Sequence, residues 1–161
     1  MQFLIDGFRH SGWANRALLT ACIEAGPERL AAASEGMYLP LDSILRHAVM
    51  VETVYLGLVG GATSVEHDPE TADRGALLEV QAGVTSGYGE LIAGLPEGGL
   101  ERAVRIPWFS AGISTGDALL QVLTHSAEHR ADVALALNRA GIETPHMDYV
   151  VWAVNERGNR T

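Results

Sequence analysis

The stretch Leu123–Leu137, LTHSAEHRADVALAL, is built as an apolar helix except that it carries two imidazoles, His125 and His129, one turn apart. A helix repeats about every 3.6 residues, so side chains four apart leave the same face and lie about 5–6 Å from one another. One metal ion could be held by both. The stripe Ala118, Val122, His125, His129, Asp132 and Ala136 keeps three- and four-residue spacing, which predicts that both rings and a carboxylate share one side of the helix.

Working outward, this helix opens at Ser-Thr-Gly-Asp. Ser114 and Asp117 there have capping-box spacing, and the helix closes at Gly141. Upstream, Glu101–Gly112 alternates Val104, Ile106 and Trp108, which predicts either an extended segment or a loop leaning on the helices. A helix rich in glycine is expected over Pro69–Leu95, although Gly75, Gly83, Gly87 and Gly89 each lower its propensity. Another should run from Pro40–Asp42 to Gly60-Gly61, with Ile44, His47, Val51, Val54 and Leu58 on one stripe, so that His47 points toward the core. The first helix is expected over Phe3–Ala25. It should stop at Gly26-Pro27, followed by a further turn or two in PERLAAASEG. PHMDYVVWAV predicts a short C-terminal helix.

Four long helices with little strand signal predict an all-α protein, an antiparallel four-helix bundle whose sites are made by side chains on facing helices. With 161 residues, 47% of them hydrophobic, residues 1–161 should form a single domain. The net charge of −9 opposes binding to nucleic acid, since phosphate neutralisation needs clustered cations and the eleven arginines are scattered; there is no lysine. Cys22 is the one cysteine, so no intrachain disulfide can form and a reducing cytoplasm is the expected setting. The opening MQFLIDGFRH is interrupted by Asp6 and Arg9 and lacks a basic leader. HAVMVETVYLGLVGGA contains Glu52 and is shorter than the roughly 20 residues of a membrane span, so no membrane association is expected.

Three imidazoles, His47, His125 and His129, converging on a core would be costly unless coordinated or hydrogen-bonded, and the pattern alone suits a metal site and satisfied core histidines equally. Three neutral rings would leave a divalent cation at least one open position, the arrangement of a catalytic site. Asp132 could accept the second ring proton of a ligand, or be a solvated carboxylate. A di-iron carboxylate site is excluded, because the single Glu-x-x-His match, Glu143 to His146, is interrupted by Pro145. His10 is expected to be a packed or surface residue, His67 in VEHDPE a solvated one, and Trp13 and Trp152 packing residues. Ala127, Ala131 and Ala134 would allow close helix approach, inside the bundle or across a dimer.

His47, the pair His125 and His129 followed by Arg130, Gly141, the closing PHMDYVVW, and HSGWANRALL with Trp13 and Asn15 together resemble the DinB/YfiT-like superfamily over nearly the whole chain. The resemblance implies a four-helix bundle, commonly a homodimer, with a divalent metal on His47, His125 and His129. Relatives include thiol transferases that use bacillithiol or mycothiol and mycothiol-dependent maleylpyruvate isomerases. Ala131-Asp132 stand where relatives often carry Gly-Gln.

The function expected on these grounds is a metal-dependent transferase acting with a low-molecular-weight thiol on a small electrophile. Asp132 would orient a ligand and Glu128 relay protons, unless Glu128 is a solvated carboxylate beside Arg130. Three imidazoles suit zinc, nickel, copper and iron alike; zinc or nickel is expected first, with iron or manganese as further candidates. Two alternatives remain. His125-x-x-Glu128-His129 matches an inverted zincin motif, in which Glu128 would be the general base of a small-molecule metallohydrolase. A non-catalytic metal-binding bundle fits the same residues.

Overall fold

The computed structural model describes residues 1–63 and 67–157. Val65 and Glu66 of the acidic loop, and residues 158–161 of the expected domain, lie outside these. In chain order the elements are α1 (Gln2–Ala33), α2 (Leu41–Leu58), α3 (Arg74–Ala93), β1 (Ala103–Arg105), β2 (Gly112–Ser114), α4 (Thr115–Arg139) and α5 (Tyr149–Trp152), with a π-helical turn at Ala153–Arg157. The all-α expectation holds, with one two-stranded sheet added. Among the described residues no helix is long and apolar enough to cross a membrane.

The helix ends follow from local chemistry. At α4 the Ser114 hydroxyl accepts from the Asp117 amide at 3.0 Å while the Asp117 carboxylate accepts from the Ser114 amide at 3.1 Å, the reciprocal capping box that the spacing predicts. Asp73 caps α3 by accepting from the Ala76 amide at 2.8 Å. Helix α2 begins where the Leu41 amide donates to Ser34 Oγ at 3.0 Å, and Asp42 in its first turn takes both Arg74 Nε and Nη2, tying the starts of α2 and α3 together.

The range of α1 joins two helical segments, the expected first helix and the expected further turns that begin at Pro27. Gly26, at φ 78° and ψ 166°, is not helical and interrupts the helix where the Gly26-Pro27 stop is expected. Pro27 then sits at the start of the second segment, where the missing amide hydrogen breaks no helical bond. In α3, Gly87 packs directly beneath the backbone carbonyl of Ala62, in the segment leaving α2, and against Leu56, so the residue that weakens helix propensity is what permits the close approach.

Each of α1 and α2 packs against both α3 and α4. Their inner faces share one core that includes Leu18, Ile44, Leu56, Val84, Leu119 and Leu137, with Phe8 stacked on Tyr88 at 4.2 Å. The buried face of α2 is set by Leu41, Ile44, Leu45, Ala48, Glu52, Tyr55 and Leu56. The expected stripe through His47, Val51 and Val54 is therefore rotated toward the rim: Val54 is exposed and His47 half-buried. Helix α4 shows the same offset. Ser126, Val133 and Leu137 face inward, while His125 and His129 flank them at the edge. Ala127 and Ala131 lie exposed on the outer side of α4, so they do not serve packing within the bundle.

The Glu101–Gly112 region is an extended hairpin. Ala103, Val104 and Arg105 pair antiparallel with Ser114, Ile113 and Gly112, and Val104 and Ile106 are buried. Its base is fastened to α4 by Thr115 and Gly116 amides donating to the carbonyls of Arg102 and Leu100, both at 2.8 Å, and to α2 by the Arg102 guanidinium on the Val59 carbonyl.

Candidate metal centre

His47 on α2 and His125 and His129 on α4 come together where the two helices face one another. The ring centroids of His125 and His129 are 4.3 Å apart, and His47 lies 5.1 Å from each. One ring nitrogen from each residue can be chosen so that all three lie within 4.8 Å of one another. His125 Nε2 and His129 Nε2 face at 3.1 Å. Two nitrogens on a tetrahedral zinc, each at about 2.0–2.1 Å, stand about 3.3 Å apart, so the His125–His129 pair has the spacing of two ligands on one cation, and His47 offers a third nitrogen within 4.8 Å of both.

His129 is held ready for that role. His129 Nδ1 meets the Tyr38 hydroxyl at 3.3 Å and Asp132 Oδ2 at 3.8 Å, and Tyr38 also donates to Asp132 at 3.4 Å. With Nδ1 engaged from outside, Nε2 is the atom turned inward. Burial and the neighbouring rings of His129 and His47 push His125 down to about 4, and burial likewise lowers His129. A neutral ring keeps the lone pair a cation needs. His125 Nδ1 is buried without a hydrogen-bond partner among the described residues, so that ring has no competing protein contact at this atom.

Behind the triad lies a buried polar network. Glu52, fully enclosed on α2, accepts from Asn15 Nδ2 at 2.8 Å, from Gln81 Nε2 at 2.8 Å and from the Ser126 hydroxyl. Arg130 Nη1 donates to Asn15 Oδ1 at 2.7 Å and to Ser11 Oγ at 2.8 Å. Asn15 thus stands between a cation and a carboxyl group, its oxygen toward one and its amide toward the other. Burial raises the Glu52 carboxyl above its usual range, against the pull of the hydrogen bonds from Ser126, Gln81 and Asn15. Ser126 and Arg130 alternate along α4 with His125 and His129, so one helix carries the triad on one side and the network on the other.

A cleft of about 590 Å³ opens from His47 and His125 toward the hairpin. Met50, Val51 and Val54 form its α2 wall, Trp108 and Phe109 its hairpin wall, and Gln121 contributes from α4. Trp108 leans edge-on against Tyr55 at 6.1 Å.

A model described as the DinB family matches residues 1–158. The chain belongs to the DinB family. A crystal structure of a DinB-like protein, YjoA, from Bacillus subtilis superposes with a TM-score of 0.64 over 90% of this chain and 97% of that one, at 11% identity, which shows a shared fold. No curated protein matches the sequence.

In this DinB-family chain the three expected histidines meet. Asp132 lies beside His129 on the outer side, and Glu128 is exposed on α4 next to His129. His10 is a packed residue: its Nε2 meets the Met147 carbonyl at 2.8 Å, and its ring lies among Trp13, Tyr149 and Trp152. His67 is exposed, 3.5 Å from Glu79. Trp152 is buried and Trp13 partly so, in agreement with packing roles. Sequence reasoning missed Tyr38, which sits between helices with no periodic signal. It also read Glu52 only as an interruption of an apolar run. The available signal was the set Asn15, Glu52, Gln81 and Ser126, polar residues at inward helical positions that have to satisfy one another.

Proposed function

We propose that this protein binds a divalent metal ion through His47, His125 and His129 and transfers a low-molecular-weight thiol onto a small electrophile. The convergence of three ring nitrogens within 4.8 Å supports this reading. Zinc or nickel suits three imidazoles, with iron or manganese as further candidates. When bound, the ion supplies the charge that lowers the pKa of a thiol, giving a thiolate nucleophile at neutral pH.

The chain's own residues do the rest. The three neutral rings add no charge to the ion and leave a position open. Tyr38, itself hydrogen-bonded to Asp132, holds His129 by its outer nitrogen. The apolar walls of the cleft keep water from the electrophile. The sulfur forms a bond to the electrophilic carbon, and the leaving group departs with the bonding pair. With an activated double bond the pair moves instead to the neighbouring carbon, which takes up a proton. The thiol proton goes to water, and Glu128, exposed beside His129, would carry it outward.

Elemental analysis of protein purified without an affinity tag should find about one divalent ion per chain, and a chelator should lower the unfolding temperature. Protein free of metal whose unfolding is indifferent to chelator would overturn the reading. With metal present, consumption of thiol and electrophile should disappear in His125→Ala.

A further inference from the structure

The cleft beside the triad carries chemistry of its own. Apart from the imidazoles at its inner end, the one formal charge among its lining residues is Asp117, and that carboxylate already serves the α4 cap through the Ser114 hydroxyl at 2.7 Å and the Ser114 amide. Among the described residues no arginine lines it, although eleven are spread through the chain. Away from the inner end, where the proposed ion would sit, an anionic group entering the cleft would lose hydration and find no cationic side chain among the described residues to replace it.

Its outer wall has the opposite character. Trp108 is 55% exposed and Phe109 64%, side by side at the tip of the hairpin, and Val54 faces them from α2 at 37% exposure. Two adjacent large rings left in water on a segment whose base is firmly paired form a surface that a flat apolar ligand would cover. The polar group available without charge is the exposed Gln121 amide. The volume suits a ligand of two or three rings.

We infer that the cleft formed by Val54, Trp108 and Phe109 selects a small electrophile bearing a neutral, apolar ring, seated with its reactive carbon toward His47 and His125, and that its outer wall, by itself, discriminates against carboxylates and other anions. The inference rests on the transferase reading for the word electrophile. The recognition of a neutral apolar ring stands on the cleft alone.

A matched pair of fluorescent probes tests it. N-phenyl-1-naphthylamine is neutral, and 8-anilino-1-naphthalenesulfonate is the same ring skeleton with a sulfonate added. Titrated into metal-free wild-type protein, the neutral probe should bind at about one site per chain and at least about tenfold more tightly than the sulfonate. Trp108→Ala/Phe109→Ala should weaken the neutral probe by about tenfold or more, with helical circular dichroism unchanged because both rings are exposed. Val54→Arg should reverse the preference toward the sulfonate. Equal affinity for the two probes, or a double variant that binds the neutral probe as wild type does, would overturn the inference. Neutral-probe binding by a protein that takes up no zinc or nickel when offered them would sink the transferase reading alone. Metal without neutral-probe binding would sink the cleft inference alone.

Discussion

The Ser126 hydroxyl donates to the Glu52 carboxyl across the α2–α4 contact, one residue beyond His125. The two helices that carry the three histidines are therefore joined by a buried hydrogen bond next to the site. Glu52→Ala would strand the Asn15, Gln81 and Ser126 donors together and should cost about 3–5 kcal/mol in denaturant unfolding. Glu52→Gln retains the shape and one acceptor and leaves only the Gln81 amide facing another amide, so about 1–2 kcal/mol is expected. Equal losses in the two variants would contradict this account of the network.

Tyr38 and Asp132 reach His129 from outside, and Tyr38 itself is 63% exposed. Tyr38→Phe and Asp132→Asn should thus leave the unfolding temperature nearly unchanged. Competition against a chromophoric chelator should show metal affinity lowered by about 10–100-fold. A fall in stability without a fall in affinity would assign these residues to the scaffold instead.

The helical glycines of α3 separate propensity from packing. Nothing lies within 4 Å of where a Cβ on Gly89 would stand, so Gly89→Ala should gain about 0.5–1 kcal/mol. At Gly87 the Cβ would run into the Ala62 carbonyl, which is backbone and cannot rotate aside. Gly87→Ala should lose about 1–3 kcal/mol despite the same gain in propensity. Thermal melts of the two variants should therefore shift in opposite directions.

His125 and His129 give stability a direction in pH. Both are held below the ordinary value of 6.5, His125 at about 4, so on acidification the unfolded chain takes up protons before the folded one. The metal-free protein should accordingly lose stability as pH falls from about 6.5 to about 4 and level off below that. Unfolding curves of His125→Gln across this range should show a shallower slope than wild type.

Much of this was legible in the sequence, for reasons that differ residue by residue. Ser114 and Asp117 announced the start of α4 because a cap is a local event, complete within four residues. The four-residue step between His125 and His129 told which rings would meet, since helical geometry alone brings them together. The facing of α2 was misread because apolar residues lie on more than one side of it. A stripe through His47 and Val54 is nearly as regular as the one through Ile44 and Glu52 that is buried. Which side wins is decided by partners on α1, α3 and α4, and no window on α2 contains them. Gly26-Pro27 reads as a stop signal and does interrupt the helix, while the placing of Leu30 and Ala33 from the following turns in the core is set by packing that no local window contains. Tyr38 was out of reach for the same reason: its partners lie 91 and 94 residues away.

The hairpin divides into two regimes. At its root, Val104 and Ile106 are committed to the core and the Arg102 and Leu100 carbonyls are taken by α4, whereas Trp108 and Phe109 hang beyond the last paired residues. Substitution at the overhang leaves the helices undisturbed, and substitution at the root does not. Evolution can therefore rewrite the entrance of this molecule almost freely while inheriting its histidines intact, and chains of the same architecture should diverge soonest at residues 107–111.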